Sequence, residues 1–190
     1  MRKQLLATIM SGAAVNDPER AIALLGSLPD ADRAGMAEKF VGALVQHQGK
    51  DRAIEWLASM SAAELESDYG QSLTRSVFDK VMWAGANQSN ASVMVADMER
   101  LASVVPIDEA WIDRSMGQLR GRKTIGGIEL LDQIARSPAL SRIPLGESTF
   151  SNAVDDALRR DPAAVARWLA ANPDSPIHSE VSSMVENHGN

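Results

Sequence analysis

One segment of the sequence occurs twice in nearly the same form, and this repetition limits the folds open to the chain. The two copies read DPERAIALLGSLPD at residues 17–30 and DPAAVARWLAANPD at residues 161–174. Each begins with Asp-Pro, in which the aspartate can cap a helix N-terminus and the proline suits the first helical position. Each also has a proline near its end, and a proline disfavours helical geometry at the residue before it. The repetition therefore predicts a short helix of one kind, used more than once.

The apolar residues between these signals have helical spacing. The first copy places four of them on one stripe: Ala21, Leu24, Leu25 and Leu28. The segments RAIEWLASM at 52–60 and GIELLDQI at 127–134 repeat this pattern, and ASVMVADMERLASVVP at 91–106 has a similar length with a less regular stripe. The sequence thus contains four clear copies and one degenerate copy of the same helix.

A second helical pattern follows each copy. After the first, residues 30–50 carry apolar residues at helical spacing, and Gly49 is the predicted helix stop. Gly85 takes the place of Gly49 in the second unit, Asp108 begins the second helix of the third, and ESTFSNAVDDALRR at 147–160 forms that of the fourth. The recurring unit is therefore predicted to be a helical hairpin.

The copies recur at intervals of roughly 32 to 38 residues, which is typical of two-helix repeats that bury their apolar stripes by stacking. We predict an all-α fold without a sheet, a right-handed α-solenoid of about five antiparallel helical hairpins and about eleven helices. A single domain would cover residues 1–190, with a terminal helix at 1–16 and units at about 17–50, 51–88, 89–122, 123–160 and 161–190.

These segments resemble the tetratricopeptide-like and HEAT-like superfamily of helical repeats, and in particular bacterial repeats in which Asp-Pro is followed by Ala, Trp-Leu and Leu-Pro. The resemblance is carried by DPERAIALLGSLPD, DRAIEWLASM and DPAAVARWLAANPD and extends over about residues 17–190. The chain departs from the tetratricopeptide consensus, because it lacks the regular Gly-Tyr pair and the fixed period of about 34 residues. The resemblance implies a protein that binds other proteins or peptides through residues that differ between arrays.

Composition excludes several classes of function. The net charge of −6 disfavours binding to nucleic acid or to anionic membranes, because both depend on Lys and Arg. The absence of cysteine excludes thiolate metal sites, thiol nucleophiles and disulfides. No apolar run approaches the roughly 20 residues of a membrane span. The N-terminal segment MRKQLLATIMSGAAVN is interpreted as an amphipathic terminal helix in a cytoplasmic protein, or as a weak signal peptide of a periplasmic or secreted one.

The segment GQLRGRKTIGG at 117–127 has the glycines of a phosphate-binding loop. It lacks the Gly-Lys-Thr sequence of such a loop, because Arg122 separates Gly121 from Lys123, and no strand is predicted before it. We interpret it as an inter-repeat turn. Its surroundings form a cationic cluster that could bind an acidic peptide or a phosphate, with a solvated turn as the favoured alternative, and its members are Arg114, Arg120, Arg122 and Lys123.

The four tryptophans fall into two groups. Trp56 and Trp168 occupy core positions of the repeat, whereas Trp83 and Trp111 lie outside that register. Because tryptophan is enriched among the residues that dominate binding energy, Trp83 and Trp111 are candidates for a partner-binding groove, and core packing is the alternative.

No catalytic, cofactor-binding or metal-binding residues are predicted. His178 and Glu180 form a His-x-Glu pair without the Pro-Cys-x-x-Cys segment of the zinc deaminases. The paired carboxylates at 64–68, 108–109 and 155–156 are expected at helix starts or on solvated faces. No Gly-x-Ser-x-Gly segment is present.

The sequence therefore predicts a non-catalytic helical-repeat scaffold that binds a protein or peptide. One alternative is a structural or capping segment of a larger repeat protein, which would expose apolar residues at Leu5 and Ile9, or at Val181 and Val185, where neighbouring units dock. Another is an enzyme or small-molecule binder with a deep cleft.

Overall fold

The computed structural model of the protein describes residues 2–87, 90–119 and 125–188. Within these ranges the chain forms twelve α-helices and no β-strand, which confirms the prediction of an all-α fold. The helices are α1 (Arg2–Asn16), α2 (Pro18–Gly26), α3 (Asp30–Gln48), α4 (Lys50–Ala58), α5 (Ala62–Glu66), α6 (Asp68–Asn87), α7 (Ala91–Ala102), α8 (Glu109–Leu119), α9 (Gly126–Arg136), α10 (Glu147–Arg160), α11 (Pro162–Ala171) and α12 (His178–His188).

The two Asp-Pro segments begin helices as their chemistry predicts. The Asp17 carboxylate accepts a hydrogen bond of 3.0 Å from the backbone N–H of Arg20, and Asp161 accepts one of the same length from Ala164. In both helices proline is the first helical residue, where the missing N–H has no intrahelical partner to lose. The recurring sequence therefore encodes a recurring helix start.

The predicted stripes supply the inner faces of these helices. Ala21 and Leu25 of α2 are fully buried, and Val165 and Trp168 of α11 are buried as well. The less regular segment at 91–106 also folds as a helix, α7, whose buried face includes the charged residue Asp97.

Gly49 and Gly85 have different roles, although the sequence places them at equivalent positions. Gly49 ends α3 with a positive φ of 89°, a conformation that L side chains rarely adopt. Gly85 was expected to be a stop of the same kind, and that expectation is wrong, because α6 continues to Asn87. Gly85 is buried within α6, where a Cβ atom would lie 2.9 Å from Cγ of Met94, so its small size permits close packing.

The contacts divide the chain into two compact units, Met1–Val81 and Met82–Asn190, and the predicted repeat boundaries remain a prediction. In the first unit α1 packs against α2 and α3, and α3 packs against α2 and α4. The rings of Phe40 and Trp56 meet edge to face with centroids 4.9 Å apart. The largest fully buried side chains of this unit are Met10, Leu25, Phe40, Leu44, Leu57, Leu73 and Phe78.

The second unit has a regular order of helix contacts. Helix α9 packs against α7 and α8, and α10 packs against α8, α9, α11 and α12. Helix α10 thus contacts α8, two helices before it, and α12, two helices after it. The largest fully buried side chains of this unit are Met82, Met94, Met98, Leu101 and Ile112.

None of the helices in the described ranges combines the length and the apolar character needed to cross a membrane.

Candidate functional site

The predicted cationic cluster is only partly described by the structure. Arg114 lies on α8 and is exposed, whereas Arg120, Arg122 and Lys123 lie outside the described residues. Trp111 precedes Arg114 by three residues and is half-buried, so α8 presents an aromatic and a cationic residue on the same side of the helix.

The tryptophans separate into the two groups that the sequence indicates. Trp56 and Trp168 are 6% and 7% exposed, which confirms their prediction as core residues. Trp83, near the C-terminal end of α6, is 55% exposed. With Leu5 and Ile9, it is one of three large hydrophobic side chains that are exposed in the described part of the chain.

The titratable side chains singled out in the sequence lie at helix ends. Glu64 is the third residue of α5 and forms a capping box with Ser61, whose hydrogen bonds lower the pKa of the Glu64 carboxyl. His188, in the last turn of α12, lies 3.5 Å from the Asp155 carboxylate. Within the described ranges, no three His, Asp or Glu side chains are grouped so that they could hold a metal ion.

A set of hydrogen bonds between hydroxyls and carboxylates in the second unit was not anticipated from the sequence. Ser137 donates to Glu99 at 2.5 Å, and Ser175 donates to Asp132 at 2.6 Å. The partners are separated by 38 and 43 residues, so each bond joins two adjacent predicted repeats. A carboxylate in one copy and a hydroxyl one repeat later is therefore the signal that could have revealed them.

Asp132 is the buried centre of one of these links. Its carboxylate is 8% exposed and accepts hydrogen bonds from Ser175 and, at 3.0 Å, from Nε of Arg136. The hydrogen bond and the charge of Asp132 raise the pKa of Arg136 above its ordinary value. The Ser175 hydroxyl also accepts from the N–H of Ile177, so this link joins α9 to the turn before α12.

A third link joins α8 to the start of α10. The Glu109 carboxylate accepts a hydrogen bond from the hydroxyl of buried Thr149 and another, 2.6 Å long, from the N–H of Gly146. These bonds favour the ionised form and lower the pKa of Glu109. The stabilisation they provide is present at neutral pH and is lost as the pH falls through that lowered pKa.

In the first unit, the Arg33 side chain joins three elements. It donates to the carbonyl oxygen of Gly26, the last residue of α2, at 3.3 Å and to that of Leu28, just beyond α2, at 2.8 Å. Its guanidinium carbon also lies 5.1 Å from the ring centre of Tyr69 on α6. Burial raises the pKa of Tyr69 to about 12, although the positive charge of Arg33 opposes this change.

The outer surface of α1 is an exposed face made of apolar and small residues. We define the α1 face as Leu5, Thr8, Ile9 and Gly12, which follow the i, i+3, i+4, i+7 spacing of one helical stripe. Leu5 is 63% exposed and Ile9 is 46% exposed. The Thr8 hydroxyl donates to the carbonyl oxygen of Gln4 at 3.0 Å, so its hydrogen is already used within the helix.

A shallow depression adjoins the α1 face. It has a volume of about 510 Å³ and opens to solvent between α1 and the end of α3. A Cβ atom on Gly12 would meet nothing within 4 Å, so this glycine leaves a notch in the helix surface. The depression is lined by Ala7, Thr8, Ser11, Gly12, Val15 and His47.

The second apolar pair considered in the sequence, Val181 and Val185, is less exposed than Leu5 and Ile9. Val181 is fully buried and Val185 is half-buried on α12. Of the two candidate docking stripes, the one on α1 is therefore the exposed one.

Comparison of the chain with protein-family models, with curated proteins and with solved structures finds no match.

Proposed function

We propose that the protein is a non-catalytic helical-repeat scaffold, of the tetratricopeptide-like or HEAT-like kind, which binds a protein or peptide partner through its second unit. The observation that carries the proposal is the 55% exposure of Trp83. Leaving so large an apolar surface in water forgoes the stabilisation of burial, roughly 25 cal/mol for each Å². A partner that covered Trp83 would recover this free energy.

The order of helix contacts in the second unit supports the same proposal. Helix α10 packs against both α8 and α12, which is the arrangement expected of the second helices of stacked hairpins in a solenoid. Solenoids present long continuous surfaces to partners. Helix α8, with half-buried Trp111 and exposed Arg114, contributes an aromatic and a guanidinium group, two chemistries enriched among residues that dominate binding energy.

Photo-cross-linking at position 83 tests this proposal. A photoreactive phenylalanine analogue replaces Trp83 in the full chain, and a matched variant carries it at Ser183, an exposed position on α12. We expect a discrete covalent adduct with one protein from position 83 and none from position 183. Identical adduct patterns at the two positions would contradict the proposal.

The captured protein, once purified, then allows a quantitative test. We expect Trp83→Ala to weaken binding at least tenfold, about 1.4 kcal/mol, with an unchanged urea midpoint. An unchanged dissociation constant would show that Trp83 is not part of the binding surface.

A second candidate function is that of a structural unit that docks against other helices. The exposure of Leu5 and Ile9 favours it, because a helix with apolar residues on both faces is normally covered on both. This alternative differs from the first in the surface used, so variants of α1 and of Trp83 separate the two.

A further inference from the structure

Two carboxylates of α8 meet one buried hydroxyl of α10. The Thr149 hydroxyl is fully buried and donates to the Glu109 carboxylate, and its oxygen also lies 2.9 Å from Oδ1 of Asp113, one helical turn after Glu109. Glu109 accepts a further hydrogen bond from the N–H of Gly146, the residue before α10. We call this link between the two helices the α8–α10 latch, and its members are Glu109, Asp113, Gly146 and Thr149.

The α8–α10 latch has more acceptors than hydrogens. A threonine hydroxyl has a single hydrogen to donate, and an ionised carboxylate has none. If both carboxylates were ionised, this hydrogen would serve Glu109, and the contact of Asp113 with the Thr149 oxygen would join two oxygen atoms with no hydrogen between them. Such a contact at a buried hydroxyl is unfavourable, because polar atoms removed from water need hydrogen-bond partners. One additional proton removes the deficit.

The geometry assigns this proton to Asp113. Glu109 already accepts from both Gly146 and Thr149, and both bonds favour its ionised form. A protonated Asp113 donates to the Thr149 oxygen, which in turn donates to Glu109, so that each contact contains one hydrogen. Two carboxylates at the same hydroxyl also repel each other when both are ionised, which favours the retention of one proton.

The charged groups of α8 and α10 do not neutralise the latch. In the described part of the chain, neither Glu109 nor Asp113 forms an ion pair. Arg114 is exposed and follows Asp113 directly, and adjacent residues of a helix do not face each other. On α10, Glu147 is exposed and Asp156 forms an ion pair within its own helix.

Helix α9, which also packs against α8, meets it with small and apolar residues. A Cβ atom on Gly127 would lie 3.9 Å from Sδ of Met116, which marks the face of α9 that is turned towards α8. The charges that act on the latch are therefore mainly those of its own two carboxylates. The next residues along this face of α9 are buried, and they are Leu130, Leu131 and Ile134.

We propose that Asp113, Thr149 and Glu109 hold one proton between them at neutral pH, and that this proton makes the α8–α10 latch sensitive to pH. Release of the proton leaves two ionised carboxylates at one hydroxyl. The unfolded chain does not hold this proton at neutral pH, since unfolded carboxyl groups titrate at about pH 4. The folded state therefore binds more protons, and the contribution of the latch to stability falls as the pH rises. The proposal does not depend on the partner site at Trp83.

Urea denaturation of the full chain at roughly pH 5 to 9 tests the proposal, through the ratio of the folding constants of Asp113→Asn and the wild type. The asparagine amide has a hydrogen for the Thr149 oxygen at every pH and takes up no proton. We expect the ratio to rise about tenfold for each pH unit while the folded wild type keeps its proton, and then to become constant. The histidine titrations are common to both proteins and cancel in the ratio.

Glu147→Gln is the matched control, because it neutralises an exposed carboxylate in the first turn of α10. Its ratio to the wild type is expected to stay constant, since an exposed side chain has similar surroundings in the folded and the unfolded chain. A constant ratio for Asp113→Asn as well would overturn the proposal, because Asp113 would then gain no proton on folding.

Thr149→Val tests whether the hydroxyl is needed. Valine has the shape of threonine without the hydroxyl, and circular dichroism verifies that the variant is folded. In this background the effect of Asp113→Asn is expected to lose its pH dependence, because Asp113 then has no Thr149 oxygen to which it can donate. An undiminished pH dependence would show that the proton is held without the hydroxyl, and would overturn the latch.

Discussion

At the scale of single residues, Gly70 has less space for a side chain than the other glycines of the described chain. A Cβ atom at this position would lie 1.9 Å from the carbonyl oxygen of Glu64, and the Gly70 N–H donates to the hydroxyl of Ser67. We expect Gly70→Ala to displace the backbone of α5 and to cost about 1 to 3 kcal/mol of stability. Urea denaturation monitored by circular dichroism measures the cost.

Gly35→Ala is the matched control for this change. Gly35 lies inside α3 with nothing within 4 Å of the added methyl group. We therefore expect a gain of about 0.5 to 1 kcal/mol, because alanine restricts the unfolded chain and favours the helix. Equal effects of the two changes would show that the approach of Glu64 to Gly70 is not a packing constraint.

Tyr69 gives a second prediction at this scale, and it is the single tyrosine of the chain. Burial raises its pKa to about 12, whereas an unfolded tyrosine titrates near pH 10. The folded protein binds this proton more tightly, so its stability is expected to be complete below pH 10 and to fall as the pH rises towards 12. The ultraviolet absorbance of tyrosinate follows the titration.

Arg33 provides the control for the Tyr69 titration. Its charge lowers the pKa of Tyr69, so Arg33→Met should move the titration upward. A midpoint near 10 in the folded wild type would contradict the burial of the phenol group.

At the scale of helices, the hydroxyl–carboxylate links of the second unit can be measured directly. Asp132 on α9 is joined to Ser175 by a buried hydrogen bond of 2.6 Å. We expect Asp132→Ala and Ser175→Ala each to destabilise the protein, and the double-mutant cycle to give a coupling of about 0.5 to 3 kcal/mol.

The same cycle with Asp156→Ala and Ser175→Ala is the control. Asp156 pairs with Arg160 on its own helix, at 3.2 Å. The losses of stability caused by Asp156→Ala and by Ser175→Ala should therefore be additive, with no coupling energy. If the coupling energy between Asp132 and Ser175 is no larger than that of the control cycle, the hydrogen bond contributes nothing to holding α9 to the turn before α12.

The helices themselves could be predicted better than the links between them. Asp17 and Asp161 signal their helix starts locally, because the cap, the proline and the apolar stripe are all within a few residues. The end of α6 was not predictable, since Gly85 resembles a stop but is required for its close approach to Met94. Contacts such as Glu99–Ser137 depend on how successive helices pack, and no local signal reports that.

At the scale of the whole molecule, the repeats predict a uniform array, whereas the contacts define two compact units. The repeat register describes which residues face inward and does not measure how tightly one hairpin packs on the next. The same limit applies to the candidate sites. Trp83 was selected because it lies outside the register, and its exposure is consistent with that choice, whereas the exposed α1 face belongs to a helix that packs against α2 and α3.

Helix α6 leads to a prediction for the two units together. This helix contributes buried residues to each unit, Val77 to the first and Met82 to the second. Leu57→Asp buries a charge in the first unit and is expected to unfold it. Unfolding of the first unit would leave the first part of α6 without packing partners. We therefore expect α6 to fray, so that Met82 no longer packs in the core of the second unit.

Trp168 can report this effect, since it is buried in the second unit. In a background where the other three tryptophans are replaced by phenylalanine, we expect Leu57→Asp to lower the urea midpoint of Trp168 fluorescence. Leu5→Asp introduces the same charge at an exposed position and should leave that midpoint unchanged. If Leu57→Asp also left the urea midpoint of Trp168 fluorescence unchanged, the second unit would fold independently, and its stability would not depend on α6 being folded in the first unit.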